Sequence, residues 1–291
     1  MCFFMILKQN IRTIVSYVLI ALFLIWFFIS MRNRELPVYA ASDDSIALPI
    51  IMYHSILKDE SRTGKYVITP QQLEEDMKYL RKHGYETVTV TDVINFVKND
   101  GALPSKPVML TFDDGYRNNL TYLLPLLETY DMKAVISVVG EYAEKFSNST
   151  DHNISYAHLT WSDISELVES GHVEIQNHSY AMHSIGERKG SMKMSTETIA
   201  QYRETFVEDA VKNQTALLEN CGIEPNTYTY PYGRITTESI DFLREIGFEA
   251  ALTCYEYVNY IDSDPTVLMH LGRFNRPGEI KTDEFMKKIL P

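Results

Sequence analysis

Thr111-Phe112-Asp113-Asp114-Gly115 sets two adjacent carboxylates at the end of an apolar run. Burying neighbouring carboxylates is costly unless they share a cation or a proton. Gly115 permits the sharp turn that lets both face one site, although Asp-Gly also suits an ordinary polar turn. A second cluster, Asn177-His178-Ser179-Tyr180-Ala181-Met182-His183, follows the strand-like run Val173-Glu174-Ile175-Gln176. Histidines five residues apart do not share a helix face, but in a loop they can converge on one ion. His178, His183 and one Asp make a zinc-type set of three ligands with a fourth position open, the mark of a catalytic ion. The alternative is two unrelated surface histidines. Tyr228-Thr229-Tyr230-Pro231-Tyr232-Gly233 closes another run with a rigid loop, either a plain turn or a source of backbone N–H groups aimed at the site. His54 ends Ile51-Met52-Tyr53-His54; a lone histidine at a strand end is more often structural than catalytic.

The elements that must position these groups are legible as an alternation. Ile46 to Tyr53 is an apolar run that reads as a buried strand. Thr69 caps a helix opened by Pro70, with Gln72 three residues after the cap and Gly84 at the stop. Further strands are expected at 86–90, 107–112, 133–139, 173–176, 227–230, 249–253 and 267–274, and helices at 92–99, 116–130, 162–170, 196–220 and 237–246. Strand and helix in turn, with short connections, predict βα units around a parallel sheet. About seven strands favour a closed or nearly closed barrel, and neither GxGxxG nor a Walker A sequence is present. Chemistry in such folds gathers at the carboxyl ends of strands, where every cluster above falls.

The 291 residues are 45% hydrophobic and carry a net charge of −12, which excludes a disordered chain and a basic nucleic-acid footprint. Thr13 to Met31 holds no charged residue. That run is long enough to cross a bilayer and exceeds the apolar region of a signal peptide. The expected organisation is a cytoplasmic N-terminus (1–12), a single-pass signal-anchor (13–31), a linker (32–45) and a domain outside the cytoplasm (46–291). Cleavage after Val38-Tyr39-Ala40 is the alternative and would release a secreted domain. Beyond residue 40 lie 23 basic and 38 acidic residues, a net −15. That balance suits either a plain acidic surface or tolerance of a cationic polymer. Cys221 and Cys254 are the cysteines of this region and could form one disulfide if close.

Taken together, Thr111-Phe112-Asp113-Asp114-Gly115, the later histidine pair and the Pro231-Tyr232-Gly233 loop resemble the polysaccharide deacetylases, the NodB-homology domain or carbohydrate esterase family 4. The resemblance covers roughly residues 46 to 280 and implies an irregular (β/α) barrel. Three details resemble the branch acting on poly-β-1,6-N-acetylglucosamine: the five-residue histidine spacing, Ile51-Met52-Tyr53-His54, and Leu159-Thr160-Trp161-Ser162. The arginine usual in the family near Thr229 is missing. The resemblance implies that Asp114, His178 and His183 hold one divalent ion, zinc or else cobalt or nickel. It implies Asp113 as general base and the Tyr232 N–H as oxyanion donor. Arg273 would orient Asp113 or the acid, or meet the substrate. His54 is the implied acid, with His270 of Leu268-Met269-His270 as the alternative, and Trp161 is read as packing. The implied reaction is N-deacetylation of an N-acetylglucosamine polymer outside the cell, with that polysaccharide as partner; the Thr13–Met31 run adds the membrane, the acidic charge speaks against nucleic acid, and the sequence names no protein partner. Peptidoglycan or chitooligosaccharide deacetylation, xylan O-deacetylation and a silent glycan-binding module are the alternatives; the presence of Asp113 argues against silence. The bifunctional members' extra glycosidase domain is not expected in 291 residues.

Overall fold

The structure is a computed structural model that describes residues 45–291. The expected cytoplasmic stretch, membrane span and linker lie outside the described residues, save residue 45. Among the described residues no helix is long and apolar enough to cross a membrane.

The chain runs through β1 (Ile46–Leu48), β2 (Ile50–Tyr53), β3 (Ser55–Ile56), β4 (Val67–Ile68), α1 (Pro70–Lys82), β5 (Glu86–Thr87), α2 (Val90–Lys98) and β6 (Pro107–Phe112). It continues with α3 (Leu124–Tyr130), β7 (Ala134–Val138), α4 (Gly140–Ser147), α5 (Trp161–Glu169), β8 (Val173–Asn177) and the long α6 (Ile199–Cys221). The last part holds β9 (Thr227–Thr229), α7 (Thr237–Glu245), β10 (Ala250–Leu252), β11 (Asn259–Ile261), β12 (Phe274–Asn275) and α8 (Thr282–Ile289).

The main sheet has the order β10-β9-β8-β7-β6-β2-β12, with β5 added to β6. Its pairs are all parallel. The result is a parallel-strand half-barrel flanked by helices, as the alternation predicts. The ladder is open between β10 and β12, where one extended segment spans the gap. Leu271 donates its N–H to Ala251 O (3.0 Å), and Arg276 donates its N–H to Met52 O (3.0 Å).

Capping chemistry sets the helix starts. Thr69 and Gln72 form the expected capping box on α1. A second box, Thr89 with Asp92, starts α2 two residues earlier than the sequence pattern suggests. The expected strand at 267–274 is corrected: Pro265–His270 is a 3₁₀ turn, and the strand itself is only Phe274–Asn275. Asp264 accepts the Thr266 N–H and Pro265 supplies a helical φ at the first position. Val267, Leu268 and Met269 are buried, which explains why the stretch reads as a strand.

One apolar core lies around β2, β6, β7 and β8. A smaller cluster, with Tyr202, Phe206, Tyr228 and Leu243, lies between α6, β9 and α7. Beneath β2, Asp76 and Arg276 form a buried ion pair, with Nε to Oδ2 at 2.9 Å and Nη2 to Oδ1 at 3.1 Å. Asp76 also accepts from Tyr53 Oη (3.1 Å) and Thr282 Oγ1 (2.6 Å), joining α1, β2 and α8. Arg276→Ala would strand a buried carboxylate, at a cost of about 3–5 kcal/mol. At roughly 2–4 °C per kcal/mol for a domain of this size, the melting temperature should fall by about 6–20 °C. A thermal melt checks this; an unchanged midpoint would contradict the role given to the pair.

Candidate active site

Asp113 and Asp114 follow β6 directly. The backbone is turned by a left-handed pair, Asp114 at φ 70° and Gly115 at φ 65°. A side chain at Gly115 would also press on Val138 Cγ1, 2.9 Å from an added Cβ. The turn splits the two carboxylates, and each meets different partners.

Asp113 is clamped by Arg273. Nη1 meets Oδ1 at 2.7 Å and Nη2 meets Oδ2 at 2.8 Å. Arg273 also donates Nε to Thr253 O (2.8 Å) and Nη1 to Thr111 Oγ1 (3.2 Å). It is fully buried, so it orients Asp113 and has no surface with which to meet substrate. Burial alone would raise the Asp113 carboxyl; the Arg273 guanidinium and the nearby His178 outweigh it and hold the group below the ordinary carboxylate range. A carboxylate ionised at neutral pH, at the floor of a cleft, can accept a proton.

Asp114 faces the two histidines. Its Oδ1 lies 2.9 Å from His183 Nε2 and 3.4 Å from His178 Nε2. One donor atom from each of the three residues lies within 4.8 Å of the others. Asp114 Oδ1 is buried yet accepts no well-formed hydrogen bond. His178 Nδ1 sits 2.8 Å from Thr229 O; donation to that carbonyl leaves the Nε2 lone pair free to face Asp114. His183 Nδ1 lies 3.4 Å from Tyr232 Oη. An orphaned carboxylate oxygen beside two imidazole nitrogens fits a divalent ion bound by one oxygen and two nitrogens.

Asp113, Asp114, His178 and His183 line one cleft of about 550 Å³ together with His54, Tyr66, Tyr116 and Tyr232. His54 Nδ1 is buried without a hydrogen-bond partner. Burial lowers the imidazole from its ordinary value, with Asp113 and Asp114 pulling the other way. The His54 backbone carbonyl is held by Asn119 Nδ2 at 3.0 Å. His270 ends the 3₁₀ turn and does not line this cleft. Tyr232 has a left-handed backbone (φ 56°) inside the Pro231–Gly233 turn, and its ring lies 4.6 Å from that of His183. Its N–H is in the first turn, where no intrahelical acceptor exists.

Three residues of the site escape the sequence reading. Tyr66 places its ring 4.7 Å from that of His54. Tyr116 follows the Asp-Asp-Gly turn, a signal the sequence does carry, and burial raises its phenol so that it stays protonated. Cys254 lines the cleft, 4.0 Å from Arg273 Nη2. Both Cys221 and Cys254 are free thiols here. Trp161 packs against the core and lines a groove on α4, α5 and α6, away from the cleft.

A half-barrel of parallel strands with this carboxylate and histidine cluster at their carboxyl ends defines a class of metal-assisted hydrolases. The chain belongs to the polysaccharide deacetylase family, whose profile matches residues 100–251. It is 27% identical over 265 residues to the poly-β-1,6-N-acetyl-D-glucosamine N-deacetylase of Escherichia coli, covering 82% of this chain and 38% of that protein. The chain thus spans less than half the length of that relative. Among solved structures, a de-N-acetylase from Aggregatibacter actinomycetemcomitans superposes with a TM-score of 0.71 at 23% identity, over 84% of this chain and 100% of that one. IcaB from Ammonifex degensii gives 0.67 at 24% identity, over 80% and 93%. These two likenesses carry the fold.

Proposed function

We propose that this chain is a metal-dependent N-deacetylase of an N-acetylglucosamine polymer, poly-β-1,6-N-acetylglucosamine in the first instance. The observation that carries the reading is the split of the two aspartates: one clamped by Arg273, one turned with an unpartnered oxygen to His178 and His183. Asp114, His178 and His183 would hold the ion, zinc with cobalt or nickel as alternatives. A divalent ion held there would supply a lowered pKa for a water and polarisation of the amide carbonyl. Asp113, ionised and held rigid, takes the proton from the water. The Tyr232 N–H stands ready for the oxygen that gains charge. His54 gives a proton to the departing sugar nitrogen, because an amine leaves poorly without one. The products are acetate and a glucosamine unit.

His54 supports the acid role by lining the cleft with an unpartnered Nδ1. Accordingly, His54→Ala should cut turnover by roughly 10²-fold or more with metal retained and remove the alkaline limb of the pH–rate profile, while His270→Ala keeps that profile. The reverse pattern would transfer the role to His270. The uncharged run from Thr13 to Met31 supports placing the catalytic domain outside the cytoplasm, anchored or released near Ala40. Cell fractionation tests the placement, and an intact soluble cytoplasmic chain would refute it. Acetate release from poly-β-1,6-N-acetylglucosamine, peptidoglycan, chitooligomers and acetylxylan tests the substrate. The β-1,6 polymer should give the highest rate; a higher rate on another would replace it.

A further inference from the structure

We infer that Lys189 and Arg234 are specificity-determining residues that read the charge of the sugar beside the one under attack, admitting a neutral N-acetylated neighbour and rejecting a cationic glucosamine. The inference rests on the deacetylase reading above and adds to it which stretches of polymer are taken. Although the chain as a whole is acidic, one wall of the cleft is not. Gly190 packs against the Pro231 carbonyl, whose oxygen would lie 2.5 Å from an added Cβ. That close approach joins two loops and brings Lys189 and Arg234 to the same cleft wall as Tyr232. Both side chains are exposed, and neither joins an ion pair among the described residues. Glu187, close in sequence, does not line the cleft, and Glu197 is taken by Arg188.

The other charges of the cleft do not offset this wall. Asp113 is neutralised by Arg273, and Asp114 faces the two histidines. Lys65 and Glu256 also line the cleft and offset one another in charge, and Glu256 Oε2 is itself 3.4 Å from Lys288 Nζ. An arriving polymer therefore meets net positive charge beside the reacting position. A glucosamine amine is protonated near neutral pH and would be repelled, whereas an N-acetylglucosamine unit carries no charge. Each deacetylation would then disfavour the next one alongside it, spacing the free amines along the strand and helping the product leave.

The test uses the full chain loaded with zinc and two β-1,6-linked pentamers, one fully acetylated and one with glucosamine on both sides of a central acetylated unit. In low salt, kcat/KM at the central unit should be roughly five- to twentyfold lower for the flanked pentamer, as expected for like charges across a partly screened cleft. The ratio should shrink toward one in 0.5 M NaCl and in the Lys189→Glu/Arg234→Glu double variant. A ratio unaltered by either would overturn the inference, as would equal rates on both pentamers in low salt. Absence of acetate release from both pentamers would instead bring down the deacetylase reading on which the inference stands.

Discussion

Asp113→Asn should lower acetate release by about 10²–10⁴-fold, the usual worth of a general base, while the metal content of the chain should stay near that of the wild type. The expectation follows from the separation of two neighbouring carboxylates. Asp113 turns both oxygens to Arg273 and Asp114 turns an oxygen to the histidines. Asn keeps the shape and one acceptor for Arg273 but cannot take a proton from water. Because Arg273 is fully buried, the substitution leaves a guanidinium with a neutral partner, so a thermal melt must accompany the rate. Folded, metal-loaded and slow is the expected outcome. Equal metal loss in Asp113→Asn and Asp114→Asn would show that both carboxylates serve the ion.

His178→Ala should remove the metal. Two remaining protein ligands hold a divalent ion weakly. The loss in affinity should exceed the roughly 10–100-fold that removal of an outer-shell partner costs. The effect should exceed that of Thr229 substitutions, because Thr229 meets His178 through its backbone carbonyl, which any side chain leaves in place. Metal analysis after gel filtration reads the result directly. A His178→Ala chain that keeps one zinc per molecule would dissolve the three-ligand centre.

Much of this site is legible in the sequence because Asp113, Asp114, His54 and His178 sit at strand ends. Asp113, Asp114 and His54 follow β6 and β2 directly, and His178 follows β8. Apolar runs that stop at polar clusters therefore point to one end of a parallel sheet. Long-range pairing is a different matter. The Asp113–Arg273 clamp joins residues 160 apart, and Asp76–Arg276 joins residues 200 apart. No local pattern encodes either. Gly140–Ser147 escapes because its cap, Val139, offers no side-chain acceptor. The 3₁₀ turn at Pro265–His270 reads as a strand because three consecutive buried apolar residues fit both forms equally. Tyr66, Lys189 and Arg234 come from exposed loop positions without periodicity, so only the folded chain brings them to one cleft.

Chelation tests most directly the metal centre proposed at Asp114, His178 and His183 and its cleavage of N-acetyl groups. The full chain is assayed for acetate release from a β-1,6-linked N-acetylglucosamine pentamer before chelation, after a chelator is added and dialysed away, and after zinc is returned. Activity that vanishes with the ion and comes back with it is the predicted result; full activity in chain shown to be free of metal would contradict the account.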